Sequence, residues 1–395
     1  MRLHPSRLLT VIPAAVGPML RALPRRAKWL ILAMVVLGFG IGFSGLLHSC
    51  ATEVPQPKSD TLLKPDGETS VYFCTWNVEN LFDDKKDKRN NIDTEFDNAF
   101  SENEELRNLK YDRIASAFMK MNEGKGPDII ACMEVETVRA AELLQGVLNK
   151  KLKDAKADEI LQYKYVAMKN LDAGRHIAPC VISRLPIIPQ LTKLHGRQLR
   201  ILECHVNVNG YDLCIMASHW TSQLKQRDGS DGDSGREKYA VAIYETFRDI
   251  NKKSIDSDFL VCGDFNDTPD ADSIVKVLGA IGDKSKVKPT EKEPFLYNLM
   301  AGKDPAKFGT IWYSGKPLIY DQICVSPGML DRKGWSVDPD SVATITAGLT
   351  RTGATRREPF RFGNPDRAMK SSERGFADHF PVIVKLKVEA KAPPK

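Results

Sequence analysis

The chain has 395 residues, with 57 lysines and arginines against 51 aspartates and glutamates, which gives a formal net charge of +6. Six of the basic residues lie in the first 50 positions, where no acidic residue occurs. Those six account for the whole excess, so net charge does not argue for nucleic-acid binding, although it does not exclude a local basic groove. The remaining length suits one layered α/β domain of about 300 residues.

The N-terminal 50 residues have the pattern of a targeting segment. A run of 19 largely apolar residues, 29–47, follows the basic group 25–28 and ends close to Cys50. This arrangement resembles a bacterial lipoprotein signal, which implies lipidation at Cys50, although His48 departs from the usual small residue. A run of this length could instead remain as an uncleaved anchor. Either way, we expect a membrane-attached protein that faces the periplasmic or extracellular side.

The rest of the chain divides into three predicted parts. Residues 51–69 contain three prolines and predict a tether. Residues 70–389 alternate strand-like and helix-like patterns and predict one domain, and residues 390–395 form a tail. Apolar stripes within 114–121 and 242–250 predict two amphipathic helices packed on the core.

The seven cysteines after Cys50 lie mostly in apolar strand patterns and predict buried free thiols. Cys204 and Cys214 flank 209–210, an Asn-Gly pair typical of hairpin turns. Pairing across that turn places His205 opposite Cys214 and directs Cys204 to the other face, which disfavours a disulfide. No metal-type cysteine spacing occurs. We interpret three histidines as structural or surface residues: His176, His195 and His205.

Six short blocks place polar side chains at the ends of apolar strand patterns. In the block 259–267, an apolar run meets Gly263 and then Asp264 and Asn266. Side chains alternate along extended backbone, so these two project the same way, and a carboxylate beside an amide can orient and deprotonate a water. The other five blocks contain, in chain order, Asn77 with Glu79, Glu134, His219, Asp321, and Asp378 with His379. Such a set suits metal-assisted hydrolysis at phosphorus.

In their order and in their residues, the blocks resemble the endonuclease/exonuclease/phosphatase superfamily, the fold of pancreatic-type deoxyribonucleases, over roughly residues 68–389. The resemblance implies an α/β fold, a four-layer sandwich of two mixed β-sheets flanked by helices, with the site at one rim.

The resemblance also implies six catalytic residues: Asn77, His219, Asp264, Asn266, Asp321 and His379. Asn77 and Asn266 would hold the scissile phosphate. Asp264 would orient or deprotonate the attacking water, and His219 would stabilise charge on a phosphoryl oxygen. His379 would act as acid, base or electrostatic partner, because a paired carboxylate fixes its tautomer and favours the imidazolium.

A divalent cation is the cofactor that the resemblance implies, Mg²⁺ or else Mn²⁺ or Ca²⁺. Its expected ligands are Glu134 as the principal one, Asp378 and the nearby Glu79. Arg175 could contact the phosphate as well, but we favour a solvated surface position for it.

The predicted function is metal-dependent phosphodiester hydrolysis by a monomeric catalytic domain. Nucleic acid is the expected substrate, since the motif residues are most similar to those of bacterial secreted nucleases. One alternative is a phosphatase or phospholipase-type member acting on inositol phosphates or sphingomyelin. Where inositol phosphatases carry Cys-Asp-Arg this chain has 320–322, Tyr-Asp-Gln, which argues against that branch. A catalytically silent binding protein is the second alternative, although no site residue is lost.

Two polar segments, 83–105 and 224–235, follow the Asn77 and His219 blocks. Their density of glycine, serine and charge predicts loops at the mouth of the site.

Overall fold

The structure is a computed structural model, and it describes residues 69–87, 93–224, 232–290, 292–351, 356–365 and 367–390. The targeting segment and nearly all of the tether lie outside these residues, so membrane attachment and lipidation at Cys50 stay predictions. Within the described ranges, no helix is long and apolar enough to cross a membrane.

The strands of the first large sheet come from both ends of the domain. They are β1 (Thr69–Leu81), β2 (Ile129–Val135), β3 (Tyr165–Ala167), β4 (Ala178–Ser183), β14 (Trp335–Thr344) and β15 (Val382–Val388). Their order is β14-β15-β1-β2-β4-β3, with β1 parallel to β2 and antiparallel to β15.

The second large sheet comes from the middle of the chain. Its strands are β5 (Lys193–Leu194), β6 (Ile201–Val208), β7 (Tyr211–His219), β8 (Asp258–Asp264), β9 (Ala280–Ile281), β10 (Leu296–Asn298) and β13 (Asp321–Val325). The order is β5-β6-β7-β8-β13-β10-β9, with β7 parallel to β8 and β13 antiparallel to it. A separate hairpin joins β11 (Ile311–Tyr313) and β12 (Lys316–Leu318).

Helices α2 (Glu104–Phe118) and α3 (Val138–Asp154) cover the outer face of the first sheet, and α4 (Asp233–Lys253) covers that of the second. The described ranges also contain α1 (Asp93–Glu102), which packs against Phe82, and the single turn α5 (Pro305–Phe308). Successive side chains of β1 alternate as extended backbone requires: Phe73 enters the core between the sheets, whereas Cys74 and Trp76 pack under α2 and α3. The second sheet packs against α4. The predicted four-layer sandwich is confirmed.

The β6–β7 hairpin has the predicted register. Val208 pairs with Tyr211 across the turn, which sets His205 opposite Cys214. Cys204 lies in the core between the sheets and Cys214 lies under α4. All seven cysteines of the described ranges are free and buried, as expected.

The segment 83–105 is not the loop that its composition predicted. Helix α1 and the start of α2 occupy 93–105, and Phe96 and Phe100 pack against Phe82 and Phe362. An apolar pair spaced four residues apart forms one helix face, and the surrounding acidic residues concealed it in the sequence. The segment 224–235 is likewise helical from Asp233 onward, while residues 225–231 lie outside the described ranges.

The polar blocks were predicted at strand ends, but two of them lie where their strands begin. Asp321 is the first residue of β13, and 377–379 lies just ahead of β15. Both strands run antiparallel to their neighbours: Asp321 is paired with Asp264 at the end of β8, and Val382 is paired with Thr75 in β1. The start of a strand and the end of its antiparallel neighbour lie at the same edge of a sheet, so these two blocks reach the same rim as the others.

Gly263 permits the close approach of β7 and β8 behind this rim. Its φ is +128°, and a Cβ there would lie 2.0 Å from the carbonyl oxygen of Ser218. We predict that Gly263→Ala destabilises the domain by about 3 kcal/mol or more, because the clash is with backbone. Its thermal midpoint, followed by tryptophan fluorescence, should fall well below that of the native chain.

Gly146→Ala is the matched control, since this exposed glycine of α3 has no atom within 4 Å of an added Cβ. Alanine should raise stability there by about 0.5–1 kcal/mol. Equal midpoints for the two variants would contradict the proposed close approach.

Candidate active site

The carboxylate of Asp264 is the centre of the polar cluster at the rim. It accepts a hydrogen bond of 3.1 Å from Nδ2 of Asn77, on the opposite sheet, and one of 2.9 Å from the backbone N–H of Asn266. Burial raises the pKa of Asp264 to about 6, and the neighbouring Asp321 adds to that shift. This carboxylate is therefore a stronger base than an exposed aspartate and is still largely ionised at neutral pH.

Glu134 lies beside Asp264 in an uncommon backbone conformation. Its φ is +63°, at the bulge where β1 and β2 change register. Nδ2 of Asn77 donates to its Oε1 at 3.2 Å, and the N–H of Asn80 donates to its Oε2 at 3.0 Å. Among the described residues, no lysine or arginine nitrogen lies within 4.0 Å of this carboxylate. A nearly buried charge without a cationic partner is a suitable ligand for a divalent ion.

His379 is held by a carboxylate and by the backbone. Its Nδ1 lies 2.6 Å from Oδ2 of Asp321, and its carbonyl accepts from Nε1 of Trp76 at 2.8 Å. Its Nε2 then points into the cluster, 3.6 Å from Oδ2 of Asp264. Burial alone would lower the pKa of His379, but Asp321 and Asp264 outweigh it and raise the pKa well above its ordinary value. The imidazole is thus held as a cation.

His219 is the opposite case. Nη1 of Arg200 lies 3.0 Å from its Nδ1, and since a guanidinium can only donate, Nδ1 is an acceptor and the ring proton is on Nε2. That Nε2 lies 3.5 Å from Asp264 and 3.8 Å from Glu134. Burial, and then the charge of Arg200, lower the pKa of His219 well below its ordinary value. The cluster therefore contains one cationic and one neutral imidazole.

Arg361 was not expected from the sequence, because no motif surrounds it. Its guanidinium donates to Oε1 of Glu79 at 3.0 and 3.1 Å and lies 3.2 Å from Oδ2 of Asp378. The backbone N–H of Phe362 donates to the other oxygen of Glu79 at 2.9 Å. The side chain of Arg361 is 61% exposed, whereas that of its partner Glu79 is buried.

Lys110 is a second residue that the sequence did not indicate. It is fully buried, donates to the carbonyl of Phe376 at 2.7 Å, and lies over the Phe362 ring. Burial lowers its pKa to about 8, although Glu79 and Asp378 oppose that shift.

The structure brings the nine predicted site residues into one connected set. Glu79 joins it through its N–H, which donates to Oδ1 of Asn77 at 3.1 Å, and Asp378 joins through Arg361. Ligand atoms of Glu79, Glu134 and Asp378 do not all lie within 4.8 Å of one another. A cavity of about 460 Å³ beside α2 includes none of the nine.

Arg175 is not the solvated surface residue that we favoured. It is half-buried, and its Nη2 donates to Oδ1 of Asn80 at 2.6 Å and to the buried Asp93 at 2.7 Å. Its charge contributes to the lowered pKa of His219. These contacts fix a guanidinium next to the cluster. The sequence had suggested Arg175 as a phosphate contact, but its partner Asp93 lies on α1, in a segment that was predicted as a loop.

Comparison with known proteins assigns the family. The profile of the Endonuclease/Exonuclease/phosphatase family matches residues 72–388. The chain belongs to this family. Membership confirms the resemblance found in the sequence and supports a metal-dependent hydrolase of phosphate esters. Among curated proteins, none matches this sequence.

Solved structures of 14% sequence identity are similar in fold. One is an endonuclease/exonuclease/phosphatase family protein from Bacteroides thetaiotaomicron, with a TM-score of 0.48 over 82% of this chain and 99% of that chain. A double mutant of beta toxin from Staphylococcus aureus with bound magnesium ions scores 0.48 over 80% and 99%. A mannosyl-6-phosphatase from Bacteroides thetaiotaomicron scores 0.46 over 80% and 99%. The family assignment rests on the profile alone.

The pKa values of the two imidazoles should be shifted in opposite directions. We predict that His379 stays protonated well above pH 6.5, while His219 stays neutral well below it. Asp321→Asn removes the charge that stabilises the imidazolium, so the pKa of His379 should fall. Side-chain ¹⁵N chemical shifts of labelled histidines, followed against pH and assigned with a His379→Gln variant, measure both values.

Exposed Asp256→Asn is the control and should leave both histidine titrations unchanged. A His379 pKa that is the same in the native chain and in Asp321→Asn would contradict the pairing.

Proposed function

We propose that this chain is a divalent-metal-dependent nuclease that hydrolyses phosphodiester bonds by attack of water. The observation that carries the proposal is the set of contacts around Asp264. A base with a pKa of about 6 lies 3.6 Å from a cationic imidazole and 3.5 Å from a neutral one. Hydrolysis at phosphorus needs this combination of a base and positive or proton-donating groups around one position.

Asp264 is the group in this set that takes the proton from water. Asn77 and Asn266 donate to it, so its orientation is fixed before substrate binds. Because its pKa is about 6, the carboxylate is ionised at pH 7 yet more basic than an exposed one. That balance is what general-base catalysis near neutrality requires.

The two histidines have separate roles. His379, held cationic by Asp321, offers an N–H and a positive charge to the growing charge on the phosphoryl oxygens or on the leaving oxygen. His219 offers an N–H without charge, since Arg200 occupies its other nitrogen. Removing one such donor from a preorganised site costs on the order of 10²–10³ in turnover.

Glu134 would hold the cation together with Asp378, whose pKa is raised by burial first and then by repulsion from the nearby Glu134. One or two carboxylates suffice for Mg²⁺, which keeps several waters and takes the remaining ligands from phosphate oxygens. When bound, such an ion polarises the phosphoryl group and neutralises developing charge. Arg361, which lies 3.2 Å from Asp378, adds a partly exposed positive charge beside that carboxylate.

The β11–β12 hairpin supports a nucleic-acid substrate. Ile311 forms a bridge with His379, so the hairpin begins at the catalytic histidine. It presents the half-buried Trp312 and Tyr313, with Arg356 over the Trp312 ring at 6.0 Å. Its tip is Ser314-Gly315-Lys316, which is polar and exposed. Aromatic rings interleaved with basic groups suit stacking of bases along a backbone, whereas entry into a bilayer requires an apolar tip.

A substrate panel tests the reaction class. The purified chain should hydrolyse DNA or RNA with Mg²⁺ or Mn²⁺ and leave inositol phosphates and sphingomyelin intact. His379→Ala and Asp264→Asn should each lower kcat by a factor on the order of 10² or more. Asp321→Asn should lower kcat less, because the imidazole of His379 remains. Glu134→Gln should raise the metal concentration for half-maximal rate, since an amide is a poorer ligand for a hard cation.

Exposed Glu142→Gln and Asp256→Asn are the matched controls and should retain the native rate. Turnover of sphingomyelin or of inositol phosphates in place of nucleic acid would overturn the nuclease proposal. No turnover of any phosphate ester would support a silent binding protein.

Trp312 separates strand binding from chemistry. Trp312→Ala should raise KM for an oligonucleotide by about 5- to 150-fold, since stacking of one base on an aromatic ring contributes roughly 1–3 kcal/mol. The same variant should cleave the small diester bis(4-nitrophenyl) phosphate at the native rate. Trp312→Phe, which keeps a ring, is the control and should retain most of the affinity. Equal losses on both substrates would show that Trp312 only supports the fold.

A further inference from the structure

A second cluster of titratable side chains lies on the outer face of the second sheet, away from the active site. Glu203 and His205 are two residues apart on β6 and share one face, and the register sets Cys214 of β7 opposite His205. One ligand atom of each of the three lies within 4.8 Å of the other two. Cys214 is five residues before His219 on β7, which corresponds to about 16 Å.

The spacing of these ligand atoms suits a small cation. Oε1 of Glu203 lies 3.2 Å from Nε2 of His205. In a tetrahedral zinc site with bonds of about 2.0–2.3 Å, neighbouring ligand atoms are roughly 3.3–3.7 Å apart. Only a small outward movement would admit the ion, and the two β-strands hold the donors without a loop rearrangement.

Further partners orient the donors in the manner of known metal sites. Nδ1 of His205 lies 2.7 Å from Oδ2 of Asp212, which leaves Nε2 facing Glu203. A histidine that gives one nitrogen to a carboxylate and the other to the cation is the usual arrangement around zinc. Nε2 of His195 lies 2.6 Å from the second oxygen of Glu203 and is a candidate fourth donor.

We propose that Glu203, His205 and Cys214 bind a divalent transition-metal ion, for which zinc is the best match. Thiolate and imidazole favour zinc over magnesium, whereas the active site offers carboxylate and amide oxygens. The ion would cross-link β6 to β7 beneath α4, where Thr246 contacts His195 at 3.4 Å. It would stabilise the sheet and take no part in hydrolysis.

The acidic groups beside His205, Asp212 and Glu203, attract a dication. One lysine competes with the ion for Glu203. Lys193 lies 3.0 Å from Oε1 of Glu203, but its side chain is 58% exposed and can turn into solvent.

Cobalt substitution tests the proposal with a readout other than activity. The full chain, purified in detergent and freed of metal with a chelator, is titrated with Co²⁺, and the thiolate-to-cobalt charge-transfer absorption is recorded. The band should form in the native chain and be displaced by Zn²⁺. It should be lost in Cys214→Ala and retained in the matched Cys204→Ala, which removes an equally buried thiol from the other face of the hairpin. None of the nine described site residues is a cysteine, so the comparison of Cys214→Ala with Cys204→Ala assigns the band to this cluster.

Asp212→Asn gives a second test that does not depend on core packing, because the Asp212 side chain is 42% exposed. Loss of this partner should weaken Co²⁺ and Zn²⁺ binding about 10- to 100-fold. Mg²⁺-dependent hydrolysis should be unchanged in Cys214→Ala. A native chain without the band, or a band that survives in Cys214→Ala, would overturn the metal site. If Cys214→Ala does not fold, native affinity in Asp212→Asn overturns it instead.

Discussion

The buried carboxylate of Asp264 is the constraint on which the active site depends. It lies where the two sheets meet at the rim and accepts hydrogen bonds from Asn77 of the first sheet and from the backbone of Asn266 of the second. A charge buried this deeply is costly unless every lone pair has a partner. Two imidazoles within 3.6 Å complete its surroundings, so the groups that make this charge tolerable are the ones that surround a phosphate. Stability and chemistry therefore impose the same arrangement.

The backbone carries strain at the same rim. Glu79, Asn80, Glu134 and Asn266 all have positive φ values between 51° and 63°. Left-handed backbone costs non-glycine residues about 1–3 kcal/mol each in unfavourable cases, and it persists only where the surroundings fix it. Here the register change between β1 and β2 and the hydrogen bonds to Glu134 fix it. This left-handed backbone turns inward the carboxylates that a regular strand would direct to alternate faces. The large sheets on both sides supply the stability that this requires.

The sequence predicted what depends on local pattern and left out what depends on distant contacts. Asp264 and His219 were found because apolar runs that end in polar residues are visible in one dimension, and the His205–Cys214 register followed from a single turn. Helix α1 was missed because its two phenylalanines are buried in a cluster with Phe82, Ile177 and Phe362, which are far apart in the chain. Arg361 was missed for the same reason: its role comes from Glu79, 282 residues away. Arg175 was misplaced because its partner Asp93 belongs to that unrecognised helix.

Ligand hardness separates the two places where we propose that this domain holds a cation. At the rim the donors are carboxylate oxygens beside amides, which favour magnesium and leave positions for water and phosphate. Beneath α4 the donors include a thiol and imidazoles, which favour zinc and leave little room for substrate. Each set would bind the other's ion less well than its own, so the two could be loaded independently in one solution. The second sheet carries both sites, but His219 at the end of β7 is already held by Arg200 and by its pairing with Asp264. An ion that ties β6 to β7 would therefore stabilise the sheet and leave the geometry around Asp264 unchanged.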